Sequence, residues 1–162
     1  MSTTHAGHPS TTAPQIYRLF IRATPQALWE AITRPEFTRR YFYGSAVETD
    51  SRVDGAFDYR SPDGTELWSQ GTVLEWDPPR RLVHTWRSLY DFEARTEPAS
   101  RVTWQIEERD GVCLLTVTHD RLENSPATAR GVDGEGWTLV LCGLKSVLET
   151  GEGLLPSSDD SL

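Results

Sequence analysis

Gly71-Thr-Val-Leu-Glu-Trp-Asp-Pro-Pro-Arg-Arg-Leu-Val-His-Thr-Trp86, Ser100-Arg-Val-Thr-Trp-Gln-Ile106 and Leu114-Leu-Thr-Val-Thr-His119 decide the fold of this chain. In each stretch large apolar residues alternate with polar ones, and Asp77-Pro-Pro-Arg80 and Asp110-Gly111 supply turns between them. A period of two with turn residues at the joins describes an antiparallel sheet with one packed face and one wet face. The packed face is rich in Trp and carries a His in two of its strands. Such a surface suits an amphipathic organic ligand better than a conventional aliphatic core.

Parity assigns the faces. Val102, Trp104 and Ile106 point inward and Arg101, Thr103, Gln105 and Glu107 outward, because successive side chains in a strand project to opposite sides. By the same rule Leu115, Val117 and His119 point inward, as do Leu82, His84 and Trp86. Between Glu66 and Trp76 two assignments compete. Trp68, Gln70, Thr72 and Leu74 share one face, while Leu67, Gly71 and Val73 have an equal claim to the interior.

Upstream, Gln15–Arg22 reads as a first strand, and Thr24-Pro25 as a capped start to a short helix over Gln26–Thr33. Pro35 opens a second short helix running to about Arg40, and brief strands follow near Ser45–Thr49 and Ala56–Arg60. Glu66–Trp76, Leu82–Ser88, Ser100–Arg109 and Val112–Asp120 complete the sheet. A final helix begins between Ala127 and Gly136 and ends near Thr150, with Gly151 as its stop. Along it Trp137, Val140, Leu141, Leu144, Val147 and Leu148 recur at helical spacing. The expected fold class is therefore α+β: a curved antiparallel sheet wrapped around a long C-terminal helix, with two short helices after the first strand. Residues 1–14 read as a disordered lead, 15–150 as one domain and 151–162 as a disordered tail.

Composition narrows the function. With 24 acidic against 16 basic residues the chain carries a net charge of -8, and its basic residues cluster no further than the pairs Arg39-Arg40 and Arg80-Arg81. Neither nucleic acid nor an anionic membrane surface is an expected partner. No apolar run approaches the roughly 20 residues of a membrane span, and the first residues lack the pattern of a signal peptide, so a cytoplasmic location is expected. Cys113 and Cys142 both lie in apolar segments and read as two buried, reduced thiols.

The segments Ala23-Thr-Pro-Gln-Ala-Leu-Trp-Glu-Ala-Ile32, Asp77-Pro-Pro-Arg-Arg-Leu-Val-His-Thr-Trp86, Ser100-Arg-Val-Thr-Trp104, Leu115-Thr-Val-Thr-His119 and Gly136-Trp-Thr-Leu-Val-Leu-Cys-Gly-Leu-Lys145 occur in a telling order. So arranged, the chain resembles the SRPBCC superfamily, also called START-like or birch-pollen-allergen-like. Within that superfamily it is most similar to homologues of the C-terminal domain of the heat-shock protein 90 ATPase activator. The resemblance spans nearly everything between residues 15 and 150 and implies a helix-grip fold with a deep, mainly apolar cavity between sheet and C-terminal helix. The superfamily includes lipid carriers, hormone receptors, polyketide cyclases, oxygenase subunits and co-chaperone domains, so the fold alone does not select a role.

The candidate ligand site is a pocket walled by Trp68, Trp86, Trp104 and Trp137 with Leu141 and Leu144, and with His84 and His119 as polar handles. The competing reading is that the indoles fill the space themselves, each N–H finding a backbone carbonyl. His119 and His84 are the candidates for a general base, although Asp120 should point away from His119 and so form no dyad with it. No G-x-S-x-G elbow, H-E-x-x-H helix or paired Cys appears, and no metal or cofactor is expected. Gly131-Val-Asp-Gly-Glu-Gly136 carries two carboxylates and lacks Lys, which makes it a flexible loop leading into a helix and not a phosphate cradle.

The loops Leu89–Ala99 and Arg121–Glu135 are long enough to act as lids, and Tyr90 and Phe92 could close over a cavity mouth or form a homodimer contact. Tyr41 and Phe42 read as anchors of the short helices. The leading expectation is a binding protein for a small hydrophobic or aromatic molecule. The alternatives are a cyclase or dehydratase-type enzyme using a pocket histidine, and a co-chaperone-like interaction module.

Overall fold

A computed structural model of the chain describes residues 13–133 and 135–154. The expected lead and tail lie outside these residues except at their inner ends. Eight strands form one antiparallel sheet: β1 (Gln15–Ile21), β2 (Ala46–Thr49), β3 (Phe57–Arg60), β4 (Leu67–Gln70), β5 (Val73–Asp77), β6 (Arg81–Ser88), β7 (Ser100–Arg109) and β8 (Val112–Asp120). Their spatial order is β1-β8-β7-β6-β4-β3-β2, with β5 also paired to β6. The helices are α1 (Pro25–Thr33), α2 (Pro35–Thr38), α3 (Pro126–Val132) and α4 (Glu135–Thr150). The sheet curves around α4, as a helix-grip fold requires.

Local chemistry sets the element ends. The Thr24 hydroxyl accepts from the Ala27 backbone N–H at 3.1 Å, capping α1, and Pro25, Pro35 and Pro126 open three of the helices where a missing N–H costs nothing. Asp110 and Gly111 turn the β7–β8 hairpin with φ of 51° and 88°. At the C-terminus of α4, Gly151 adopts φ 86° and its N–H bonds the Val147 carbonyl at 2.9 Å.

The segment read as one strand over Glu66–Trp76 is two. β4 and β5 face β6 in a single continuing register (Gln70 opposite Arg87, Val73 opposite His84), interrupted at Gly71 and Thr72. There the backbone of Gly71 lies so close to β6 that a Cβ would stand 2.1 Å from the Thr85 carbonyl oxygen. The interior face belongs to Ser69, Gly71 and Val73, while Gln70, Thr72 and Leu74 are exposed.

The Arg121–Glu135 loop also differs from its reading, since it contains α3. Cys113 is buried as expected, but Cys142 is exposed. An apolar run wound into a helix presents only one side to the sheet, and Cys142 lies away from the stripe made by Leu141 and Leu144.

The core joins both layers: Ile21, Leu28 and Ile32 meet Leu82, Val102, Leu115 and Val117 from the sheet and Val140, Leu141, Leu144 and Val147 from α4. No helix among the described residues is long and apolar enough to cross a membrane.

Candidate functional site

Toward one end of the grip the core does not close. A cavity of about 360 Å³ opens between the inner faces of β3, β4 and β6, the segment joining α2 to β2, and the facing parts of α3 and α4. That volume falls at the lower end of the roughly 300–1,000 Å³ typical of small-molecule pockets.

Its wall is a continuous aromatic cluster. Phe42 stacks on Tyr59 with ring centroids 4.3 Å apart and meets Trp137 edge-on at 6.2 Å. Trp86 stands 5.6 Å from Tyr59 and 6.2 Å from Phe42. Such contacts fix the rings beyond what area burial alone would do. Val132 and Val140 complete the apolar lining, and Gly131 and Gly136 leave backbone where side chains would fill space.

Tyr43 and Tyr90, both about half exposed, flank the opening. The chain is left-handed at Tyr43 and Gly44 (φ 57° and 77°) as it leaves α2, and the Tyr43 hydroxyl reaches the Gly136 carbonyl at 3.5 Å. The two long loops are clasped together near this opening. Glu97 accepts from the backbone N–H groups of Ala127 and Thr128 and from the Thr128 hydroxyl, at 2.8–3.0 Å, supplying the anionic N-terminal partner that α3 lacks in its own sequence. Ser125 donates to the Pro98 carbonyl at 2.7 Å.

The polar content of the lining is small and specific. Ser45 donates to the Phe42 carbonyl at 2.6 Å. The Tyr59 hydroxyl and the Ser69 Oγ, by contrast, are buried with no partner among the described residues. Burial pushes the Tyr59 phenol far above its ordinary value, so it remains a hydroxyl. Among the described residues no Asp, Glu, Lys, Arg or His lines the cavity.

The two interior histidines sit behind this wall, each bonded to an indole. Trp104 Nε1 donates to His84 Nε2 at 3.0 Å, and His84 Nδ1 bonds the Thr85 carbonyl at 2.9 Å. Trp137 Nε1 donates to His119 Nδ1 at 3.1 Å, while His119 Nε2 lies 2.7 Å from Ser100 Oγ, which in turn bonds the Trp86 carbonyl at 3.2 Å. Both rings must therefore be neutral, His84 with its proton on Nδ1 and His119 with its proton on Nε2. Burial, above all, lowers their pKa values to about 4 and about 3; for His119 the nearby His84 lowers it further, while Asp120 opposes. Asp120 points to the other face, as parity requires, and holds Arg101 through bonds of 2.9 and 2.6 Å. Every ring nitrogen is engaged, so neither histidine offers a free base to the cavity.

The structure thus separates the expected site residues. Trp68, Trp86 and Trp137 line the cavity. Trp104, His84 and His119 form the hydrogen-bonded layer behind it, and Leu141 and Leu144 belong to the general core. Trp68 reaches the cavity through a bulge: Tyr59 faces Ser69 and Arg60 faces Leu67, which leaves Trp68 as the extra residue on β4. A bulge re-aims a side chain against simple alternation.

Tyr90, expected near a cavity mouth, is there, whereas Phe92 is 82% exposed and is not part of the lining. Phe42 does more than anchor α2, since it is the ring about which the wall is built. Sequence reading missed Tyr59 and Ser69 as site residues. The signal for Tyr59 was the alternation Phe57-Asp-Tyr59, while Ser69 followed only from the parity left open over 66–76.

Fold and cavity together define a helix-grip protein of the SRPBCC class with an aromatic-walled pocket. Within that class the chain belongs to the family described as Activator of Hsp90 ATPase homolog 1-like protein, which matches residues 22–149. The fold is shared with CalU16 from Micromonospora echinospora (TM-score 0.65, 24% identity, covering 85% of this chain and 77% of that one). It is shared with the Aha1 dimer from Colwellia psychrerythraea (TM-score 0.68, 16% identity, 87% and 99% covered). It is shared likewise with an HSP90 activator from Plasmodium falciparum (TM-score 0.63, 21% identity, 83% and 95% covered). No curated protein matches the chain significantly.

Proposed function

We propose that this chain is a binding protein that holds a small, largely apolar aromatic molecule in the cavity between the sheet and α4. The observation that carries this reading is the cavity wall itself: Phe42, Tyr59, Trp86 and Trp137 are held in mutual ring contact yet leave about 360 Å³ unfilled. A core under no demand to bind would close such a space, because interiors pack to crystal-like density and voids are destabilising. Trp68 and Tyr90 extend the apolar lining toward solvent, and His119 holds the Trp137 indole from behind, with the Trp104–His84 pair beside it. Native mass spectrometry of freshly purified protein, with solvent extraction of whatever is released, tests the proposal. A stoichiometric small molecule supports it. Failure of every neutral aromatic probe to bind would sink it.

A second reading rests on family membership. The family takes its description from an Hsp90 ATPase activator, and a fold neighbour is an HSP90 activator. The exposed Phe92, beside Tyr90 on the same loop, gives that reading a surface. Its test is whether saturating protein stimulates a chaperone ATPase; no stimulation disposes of it. Homodimer formation, to which a dimeric fold neighbour lends support, is decided by sedimentation over a range of protein concentrations.

A further inference from the structure

The inner and outer parts of the cavity wall differ in the hydrogen bonds they can offer. Toward the interior the wall is made by Phe42, Ser45, Tyr59, Ser69, Trp86 and Trp137, all buried. Each polar side chain among them is either committed within the protein or closed off. The Trp86 indole N–H donates to the Ser88 hydroxyl at 2.9 Å, and the Trp137 indole N–H to His119 Nδ1 at 3.1 Å. The Ser45 hydroxyl donates to the Phe42 carbonyl at 2.6 Å, and the same carbonyl accepts the Ser45 backbone N–H at 3.0 Å. Tyr59 Oη and Ser69 Oγ are covered by their own neighbours, so an atom placed in the cavity does not reach them.

The outer part is different. Tyr43 and Tyr90 flank the opening with about half of each residue exposed. Their hydroxyls stand along the rim where α3 gives way to α4. That of Tyr43 is 3.5 Å from the Gly136 carbonyl, at the long limit of a hydrogen bond, and that of Tyr90 is 3.8 Å from the Cβ position at Gly131. A phenol both donates and accepts, so either hydroxyl can meet a ligand oxygen in whichever sense the ligand requires.

A polar ligand atom therefore fares differently at the two ends. Lodged inward, it leaves water and finds no partner, a cost that an apolar atom avoids. At the mouth it exchanges water for a phenol or keeps its water. The wall runs from a dry aromatic floor to a phenolic rim, and that gradient selects the orientation of a ligand as well as its class.

Building on the ligand-holding reading above, we propose that the bound molecule is an aromatic compound polar at one end only, its hydrocarbon end inserted and a single hydroxyl or carbonyl oxygen held at the mouth beside Tyr43 and Tyr90. Three probes of one framework isolate the chemistry: biphenyl, 4-phenylphenol and 4,4′-biphenol, titrated against tryptophan fluorescence at neutral pH. 4-Phenylphenol is expected to bind about threefold to tenfold more tightly than biphenyl, as one added hydrogen bond at a wet rim implies. 4,4′-Biphenol, which carries a hydroxyl inward in either orientation, is expected to bind at least about tenfold more weakly than 4-phenylphenol. The double variant Tyr43→Phe/Tyr90→Phe keeps both rings and is expected to abolish the preference for 4-phenylphenol over biphenyl, while its binding of biphenyl shows that it is folded. Biphenol bound as tightly as 4-phenylphenol, no preference for 4-phenylphenol in the native protein, or a preference that survives in the double variant would each overturn the inference and leave the ligand-holding reading standing. Binding of none of the three would overturn both.

Discussion

The indole N–H of Trp137, on α4, donates to Nδ1 of His119, on β8, at 3.1 Å, and this bond ties the helix to the sheet it grips. It also fixes protonation. A second proton on His119 would have to take the Nδ1 position that the indole already occupies. The Trp104–His84 bond repeats the logic one strand away, at 3.0 Å. Each pair satisfies two buried polar groups with each other, which lets four large side chains pack into an otherwise apolar interior.

Acid sensitivity follows from those pairs. The folded pKa values, about 4 for His84 and about 3 for His119, lie below the ordinary value of 6.5. Between the two values the unfolded chain binds more protons, so stability is fully present above about pH 6.5 and falls as pH drops toward 4 and then 3. Each histidine contributes a slope of about 1.4 kcal/mol per pH unit in that window. Asp120, held low mainly by its hydrogen bonds to Arg101, adds its loss only below the ordinary carboxylate range, and Asp58, raised mainly by burial, works in the opposite direction. Urea midpoints measured from pH 7 to 4.5 should fall steeply, and His119→Asn should flatten the curve. A level profile in the native protein would contradict the neutral-histidine arrangement.

Gly71→Ala is expected to prevent folding or to cost more than about 3 kcal/mol, at the severe end for a point substitution. The added methyl would meet the Thr85 carbonyl oxygen at 2.1 Å and that of Phe57 at 2.9 Å, both rigid backbone atoms. Circular dichroism melts settle the matter, and a near-normal melting temperature would mean that β4 and β5 are not interrupted as described.

Gly131→Leu should separate binding from stability. Gly131 lies within α3, is exposed and lines the cavity, and only the Tyr90 hydroxyl comes within 4 Å of an added Cβ, at 3.8 Å. Replacing glycine inside a helix favours folding by up to about 1 kcal/mol. The variant should melt no lower than the native protein yet bind neutral naphthyl probes at least tenfold more weakly. Unchanged probe affinity would place the binding site elsewhere.

Two tyrosines on the same aromatic cluster should respond oppositely to loss of their hydroxyls. Tyr41 donates to the Ala31 carbonyl at 2.7 Å, and Tyr41→Phe should cost about 1–2 kcal/mol in ligand-free protein. The Tyr59 hydroxyl has no partner among the described residues, and Tyr59→Phe should leave the melting temperature unchanged or raise it. A clear loss at Tyr59 would show that its hydroxyl has a structural partner after all.

The alternation over β6, β7 and β8 was enough to place Leu82, His84, Trp86, Val102, Trp104, Ile106, Leu115, Val117 and His119 inside, because a strand's period of two leaves only one parity that buries apolar surface. Caps and turns were legible because they are local: Thr24-Pro25, Asp110-Gly111 and Gly151 act through their own backbone neighbours, whereas α3 and the division of β4 from β5 were not read. Periodicity says nothing about which inward groups meet. Trp104 and His84 are 20 residues apart, Trp137 and His119 are 18 apart, and only closure of the sheet around α4 makes them partners. Phe42 lies in an irregular turn with no period to read, Trp68 is thrown inward by a bulge, and the division between β4 and β5 comes from a backbone approach at Gly71. By itself, then, the sequence determined the fold, its faces and the Trp-rich interior, since those depend on local conformation and burial of alternating side chains. The tertiary structure alone decided which aromatic residues fill space, which enclose it, and which two hydroxyls remain unpaired inside, because cavities and hydrogen-bond partners depend on distances between residues remote along the chain.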